Sequence, residues 1–202
     1  MRVLGASGEE AIPSHVAATI ATVGTFDGVH LGHRDVLSRL VARSRASGLA
    51  SLLVTFEPHP LEVLNPDAAP QLLTTLDEKI ALVGETGLDL LAVLPFTSEL
   101  AAFPAARFVD EILRERFRMR ELLIGHDHGF GRGREGDITL LRELGADRGF
   151  RVDVVAPVQA ADGEPVSSTL IRRAVASAPP IGARRPTANT ARRVPATRRR
   201  RR

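Results

Sequence analysis

The chain has 202 residues, 44% of them apolar, with 27 basic and 24 acidic side chains and no cysteine, tryptophan or tyrosine. That length and apolar share suit one well-filled domain, and the missing cysteines exclude a disulfide scaffold, thiolate metal sites and a cysteine nucleophile. The net charge of +3 misleads, because ten arginines and no acidic residue fall in 173–202, which leaves 17 basic against 24 acidic residues in 1–172, a net of −7.

In chain order, ATIATVG (18–24) is apolar, β-branched and closed by glycine, which predicts a short buried strand. Residues 35–45 place Val36, Leu37, Leu40 and Val41 at helical spacing. SLLVTF (51–56) predicts a second strand, halted by EPHP. A helix over 77–86 and a third strand, LDLLAVLPF (88–96), follow. Residues 105–117 set Phe108, Val109, Ile112 and Leu113 on one helical face. ELLIG (121–125) predicts a fourth strand, and a glycine-rich loop runs to Gly136. Residues 137–147 predict a helix with Asp137 as its N-cap. RVDVVAPV (151–158) predicts a fifth strand, and Ser167 or Ser168 caps a last helix through about Ala176.

Strands and helices alternate, and the strands are continuously apolar. Both features predict an α/β domain with a doubly wound, mostly parallel sheet covered on both faces. Such sheets bind ligands beyond the carboxyl ends of their strands. The polar punctuation falls at those ends: TFDGVHLGH, EPHP, GHDHGFGRGREGD and VSSTLIRR. Residues 177–202 have few large apolar side chains and end in five arginines, a composition expected to be disordered. The expected division is therefore a domain over 1–176 and a basic tail over 177–202. No apolar run approaches the ~20 residues a membrane helix needs. The N-terminus carries acidic residues where a signal peptide has its apolar stretch. A soluble cytoplasmic protein is expected.

In TFDGVHLGH, Gly24 and Gly28 permit a tight turn and close approach of backbone to a ligand. The helix that follows aims its free N–H groups and positive dipole end at the loop, a ready anion site. His30 and His33, three apart, share one face of the first turn, where they can donate hydrogen bonds or carry positive charge to phosphate oxygens. Asp27 either fixes the loop or assists a metal. In SSTLIRR, hydroxyls at a helix start and an arginine one turn on can grip phosphate, or be an N-cap and a surface arginine. His59, between two prolines, is a turn residue or a ligand contact. His126 and His128 lack the third spaced ligand and the cysteines of a zinc site.

The HLGH stretch resembles the H-x-G-H nucleotidyltransferases, and GTFDGVHLGH most closely resembles the bacterial FAD synthetases, which are bifunctional riboflavin kinase/FMN adenylyltransferases. TFEPHP (55–60), LLTTLDEK (72–79), LPFT (94–97), the G-x-D-x-x-F-G of 125–131 and VSSTLIR (166–172) are similar to further signatures in that family's order. The resemblance covers about 19–173 and implies a Rossmann-like fold and adenylyl transfer from Mg²⁺-bound ATP to FMN. It implies that His30 and His33 contact the ATP phosphates, and that Ser168, Thr169 and Arg172 form a second phosphate clamp. Gly24, Thr25, Phe26, Asp27, Gly28 and Gly32 would line the nucleotide pocket. Phe56, His59, Pro60, Asp127 and Phe130 would border the flavin. Mg²⁺ would come with ATP rather than in a protein cage.

Two departures stand out. His128 takes the place where the family carries an aromatic residue. The Arg/Pro-rich tail stands where the family continues into its riboflavin kinase barrel, and its PTAN tetrapeptide (186–189) has no strands around it, so kinase activity is expected to be absent. The alternatives are a sibling nucleotidyltransferase with another phosphorylated acceptor, an inactive remnant, or a nucleic-acid binder. The last would work only through the tail's arginines, and no stacking aromatics accompany them. A monomer with small-molecule partners and no membrane is expected.

Overall fold

The computed structural model describes residues 1–5, 11–126, 129–159 and 166–177. The apolar runs form six strands: β1 (Arg2–Leu4), β2 (Thr19–Val23), β3 (Ala50–Glu57), β4 (Leu90–Pro95), β5 (Met119–Gly125) and β6 (Arg151–Val155). They make one sheet in the order β1-β4-β3-β2-β5-β6, every pair parallel. The helices are α1 (Leu31–Ser47), α2 (Pro60–Leu64), α3 (Leu76–Gly84), α4 (Ser98–Ala101), α5 (Ala105–Arg107), α6 (Ile138–Arg148) and α7 (Ser168–Ser177).

Side chains alternate across each strand, and both faces are buried. Ile20, Leu53, Leu91, Val93 and Leu123 face Leu37, Leu40 and Val41 of α1 and Val83 of α3. Leu52, Val54, Ala92, Leu122 and Ile124 face Phe108, Val109, Leu113, Leu141 and Leu144 on the other side. This is why the central strands read as unbroken apolar runs. Leu37 and Leu40 are wholly buried, so truncating either to alanine would cost about 2–5 kcal/mol.

The chain runs outward from β2 to β3 and β4, then returns to place β5 on the opposite edge of β2. The strand order reverses there, and beyond the carboxyl ends of the strands at such a switch point open α/β sheets bind their ligands. The turn after β2 carries His30 and His33.

The five predicted strands and the doubly wound class are present. β1 is an addition: three residues are too few to show a period, and pairing from Arg2↔Leu90 to Leu4↔Ala92 supplies what the sequence lacks. The fifth predicted strand ends at Val155 rather than Val158, and its residues 151 and 153 are exposed, as suits an edge strand with one neighbour. The predicted helix over 105–117 makes one α turn and then widens into π turns over Phe108–Arg116, closed by a Phe117 N–H to Ile112 carbonyl bond of 3.1 Å. The extra residue per turn keeps Phe108, Val109 and Leu113 buried together. Asp137 caps α6 by accepting from Leu140 N–H at 2.9 Å, and the cap of α7 is Ser167, whose Oγ accepts from Leu170 N–H at 3.2 Å. The predicted tail lies outside the described residues.

Candidate active site

The turn from β2 to α1 is tight and set into the core. Phe26 and Val29 hold left-handed backbone at φ 48° and 36°, costly for non-glycine residues and above all for a β-branched one. Their side chains lie among the buried residues of one face of the sheet, and that packing keeps them there. Gly28 has φ 77°, and a Cβ on it would come within 2.8 Å of Leu73 Cδ1, so only glycine fits. Gly32 allows another close approach, with the His30 ring and the Val166 carbonyl at its open side. Gly24 donates to the Val54 carbonyl at 3.0 Å, and the Thr25 carbonyl accepts from Thr55 Oγ1 at 3.1 Å.

His30 is the N-cap of α1. Its Nδ1 accepts from His33 N–H over a long 3.4 Å, which leaves Nε2 as the protonated nitrogen of the neutral ring. His33 stacks on His30 with centroids 3.6 Å apart and an interplanar angle of 19°, and its other side meets Phe26 at 4.6 Å. Burial first, then the charges of His30 and Lys79, lowers the His33 pKa from 6.5 to about 3. The pair therefore shares one face of α1 as the spacing predicts, but His33 is a neutral hydrogen-bonding group rather than a cation. Its Nδ1 is buried without a hydrogen-bond partner, an unusual cost to leave unmet.

Asp27 joins three segments distant in sequence. Its carboxylate, almost fully buried, accepts through Oδ1 from Leu73 N–H at 2.9 Å and from Thr74 N–H at 3.2 Å. Oδ2 pairs with the Arg172 guanidinium. Its backbone carbonyl accepts from Ser168 Oγ at 2.9 Å, and Arg172 Nε donates to the Gln71 carbonyl at 2.8 Å. Of the two readings of Asp27, the loop-fixing one has these bonds. Both oxygens already serve protein donors, and among the described residues no three His, Asp or Glu side chains gather as a metal site.

Ser168 and Arg172 are thus joined through Asp27 to the turn that carries His30 and His33, while Thr169 is exposed at the start of α7. His59 caps α2, its Nδ1 accepting from Leu61 N–H at 3.2 Å, and Pro60 is the first residue of that helix. Burial lowers the His59 pKa, and the charges of Asp27, Arg172 and Lys79 reach its ring. Phe56 and Phe130 belong to the opposite face of the sheet. Phe56 meets Phe96 edge-on at 5.4 Å, and Phe130 meets Phe108 at 5.1 Å. The sequence-predicted residues therefore sort into a polar group on one face and an aromatic group on the other, with Asp127 and His128 outside the described residues.

Residues 12–170 match the FAD synthetase family. The chain belongs to that family. It is 40% identical over 166 residues to the bifunctional riboflavin kinase/FMN adenylyltransferase of Pseudomonas fluorescens, covering 82% of this chain and 52% of that protein. Against the Escherichia coli K12 protein of the same description it is 39% identical over 158 residues, 78% of this chain and 50% of the relative. A putative bifunctional riboflavin kinase/FMN adenylyltransferase of Geobacillus thermodenitrificans is 40% identical over 159 residues, and there the match covers 82% of the relative. The chain spans about half the length of the first two. The crystal structure of a macrolide-efflux protein from Streptococcus pneumoniae superposes with a TM-score of 0.71 at 23% identity, over 86% of this chain and 56% of that one, and speaks to the fold alone.

Two residues near this turn, both within LLTTLDEK (72–79), were assigned no role from the sequence. Thr74 accepts from Gly28 N–H at 3.1 Å and so locks the turn from outside. Lys79, at the end of the same stretch, is 6% exposed. A lysine one turn into the helix expected to follow TT of that stretch was the available signal.

Proposed function

We propose that this chain transfers the adenylyl group of Mg²⁺-bound ATP to FMN, giving FAD and pyrophosphate, and that residues 1–176 carry the chemistry. An FMN phosphate oxygen attacks the α-phosphorus in line. The bond from that phosphorus to the bridging oxygen of the pyrophosphate breaks, and the electron pair leaves with pyrophosphate. Such transfer asks a protein for positioning and neutralisation of charge, not for a nucleophile.

The observation that carries this reading is the convergence on Asp27. The stacked His30–His33 pair on one side and the start of α7 with Arg172 on the other face the same helix N-terminus. In the proposal the α1 amides and His30 Nε2–H donate to the phosphates, neutral His33 holds the His30 ring and donates without adding charge, and Arg172 grips a phosphate bidentately. Asp27 is a positioning residue, as its oxygens are taken by protein donors. Mg²⁺ enters on the triphosphate as part of the substrate, in keeping with a cation that favours phosphate oxygens and few protein ligands. Phe56 and Phe130, clustered with Phe96 and Phe108, mark the side assigned to the flavin.

The test is pyrophosphate release from ATP and Mg²⁺ with FMN, compared with other phosphorylated acceptors and with riboflavin. The expected result is FAD with FMN, and neither FMN from riboflavin nor release with the other acceptors. Preference for another acceptor would overturn the substrate assignment.

A further inference from the structure

We propose that Lys79 binds the phosphate chain of the nucleotide, as a cationic third side to the site bounded by His30, His33 and Arg172. This rests on the reading of the site as a nucleotidyl-transfer centre and names a group to which the motifs assign no role.

Lys79 is placed firmly. Thr75 and Glu78 close a reciprocal cap at the start of α3, with Glu78 N–H to Thr75 Oγ1 at 3.3 Å and Thr75 N–H to Glu78 Oε2 at 2.8 Å. Leu73 and Thr74, just before, are bonded to Asp27. The first turn of α3 therefore cannot shift without the catalytic turn. At that position the lysine is 94% buried.

Buried lysines are nearly always paired. Among the described residues no carboxylate lies within the 4 Å of an ion pair with Lys79, and no side-chain hydrogen bond satisfies its ammonium. Two acids are close enough to favour its charge, Glu57 at the end of β3 and Asp27, but Asp27 is already engaged by Arg172, Leu73 and Thr74. The same charge reaches His33 and His59, lowering the pKa of both. α3 packs against the Asp27–Val29 turn, which leads directly into the His30–His33 start of α1. Three N–H donors on a largely buried stem and without an acceptor in contact suit the oxygens of an anion that arrives with the substrate. A lysine kept only for the fold would be expected to have its acid in direct contact.

The experiment is calorimetric titration of the full chain with inorganic pyrophosphate and with Mg²⁺-bound ATP, in wild type, Lys79→Met and Lys79→Arg, beside their thermal midpoints and FAD formation. Lys79→Met keeps the stem and removes a buried charge that no close partner offsets, so its midpoint is expected to hold or rise. Its affinity for both probes is expected to fall about 10- to 100-fold, the worth of one hydrogen bond to a charged group. Lys79→Arg is expected to keep the greater share. An unchanged affinity, equal losses in the two variants, or a Lys79→Met protein that unfolds would each overturn the proposal. If wild type binds both probes and forms no FAD while Lys79→Met loses them, only the acceptor reading fails. If wild type binds neither, both fail.

Discussion

The turn after β2 and the start of α7 form the two sides of the proposed site, yet they are held in opposite ways. Phe26 and Val29 of the turn are buried to 5% and 2% exposure, and their strained backbone is fixed by the core around them. α7 buries no residue at all. Ser168 to the Asp27 carbonyl, Arg172 to the Asp27 carboxylate and Arg172 to the Gln71 carbonyl tie it to the body. One side is preorganised by packing, and the other is latched by polar bonds that a phosphate can compete for. An enzyme that must both admit a bulky nucleotide and hold it rigidly benefits from that division.

Breaking the hub should separate the two regions most. Asp27→Ala removes the acceptor of Leu73, Thr74 and Arg172 together. Its expected cost is near the lower end of the ~3–5 kcal/mol for breaking a buried pair, because the Arg172 side chain keeps 22% of its exposure. Urea unfolding would read that loss, and trypsin should cut faster at Arg172 or Arg173. Proteolysis at the wild-type rate would mean that something other than Asp27 holds α7.

The acid limb of stability sharpens the other side of the comparison. The folded pKa of His33 lies at about 3 against 6.5 ordinarily, so the unfolded chain binds the proton more readily. The contribution is complete above pH 6.5 and is withdrawn as pH falls through 6.5 towards 3, roughly 3 kcal/mol of it by pH 4. His33→Phe should raise the thermal midpoint, since it deletes the unpartnered Nδ1, flatten its fall between pH 6.5 and 4, and abolish turnover. A variant with the wild-type acid limb would show that His33 is not buried neutral. The smallest effect belongs to Ser168→Ala, about 1 kcal/mol for one hydrogen bond. Cutting within α7 should quicken about five-fold with the global midpoint unchanged, and a shift of that midpoint would show that α7 is part of the core.

The central strands and the histidine pair were legible because burial on both faces writes a continuous apolar run, and three-residue spacing writes a shared helix face. The family signatures singled out Ser168 and Arg172, which the fold bonds to Asp27 in the turn before His30. The office of Asp27 was not legible, since its partners lie 46 to 145 residues away. Lys79 hid in a charged run whose other members, Asp77 and Glu78, are solvated. The spacing of His33 suggested a phosphate contact but not its protonation state, which depends on Phe26, His30 and Lys79 closing around it. β1 was hidden by brevity.

The central claim is that the His30 face of α1 carries adenylyl transfer, and the most direct measurement is kcat for FAD formation from FMN at saturating Mg²⁺-bound ATP in wild type and His30→Ala. Loss of the cap costs about 1 kcal/mol of stability, so the variant should remain folded. The account predicts FAD with equimolar pyrophosphate in wild type and a fall in kcat of about 10²- to 10³-fold in the folded variant. Equal rates in the two proteins, or no FAD from wild type, would contradict it.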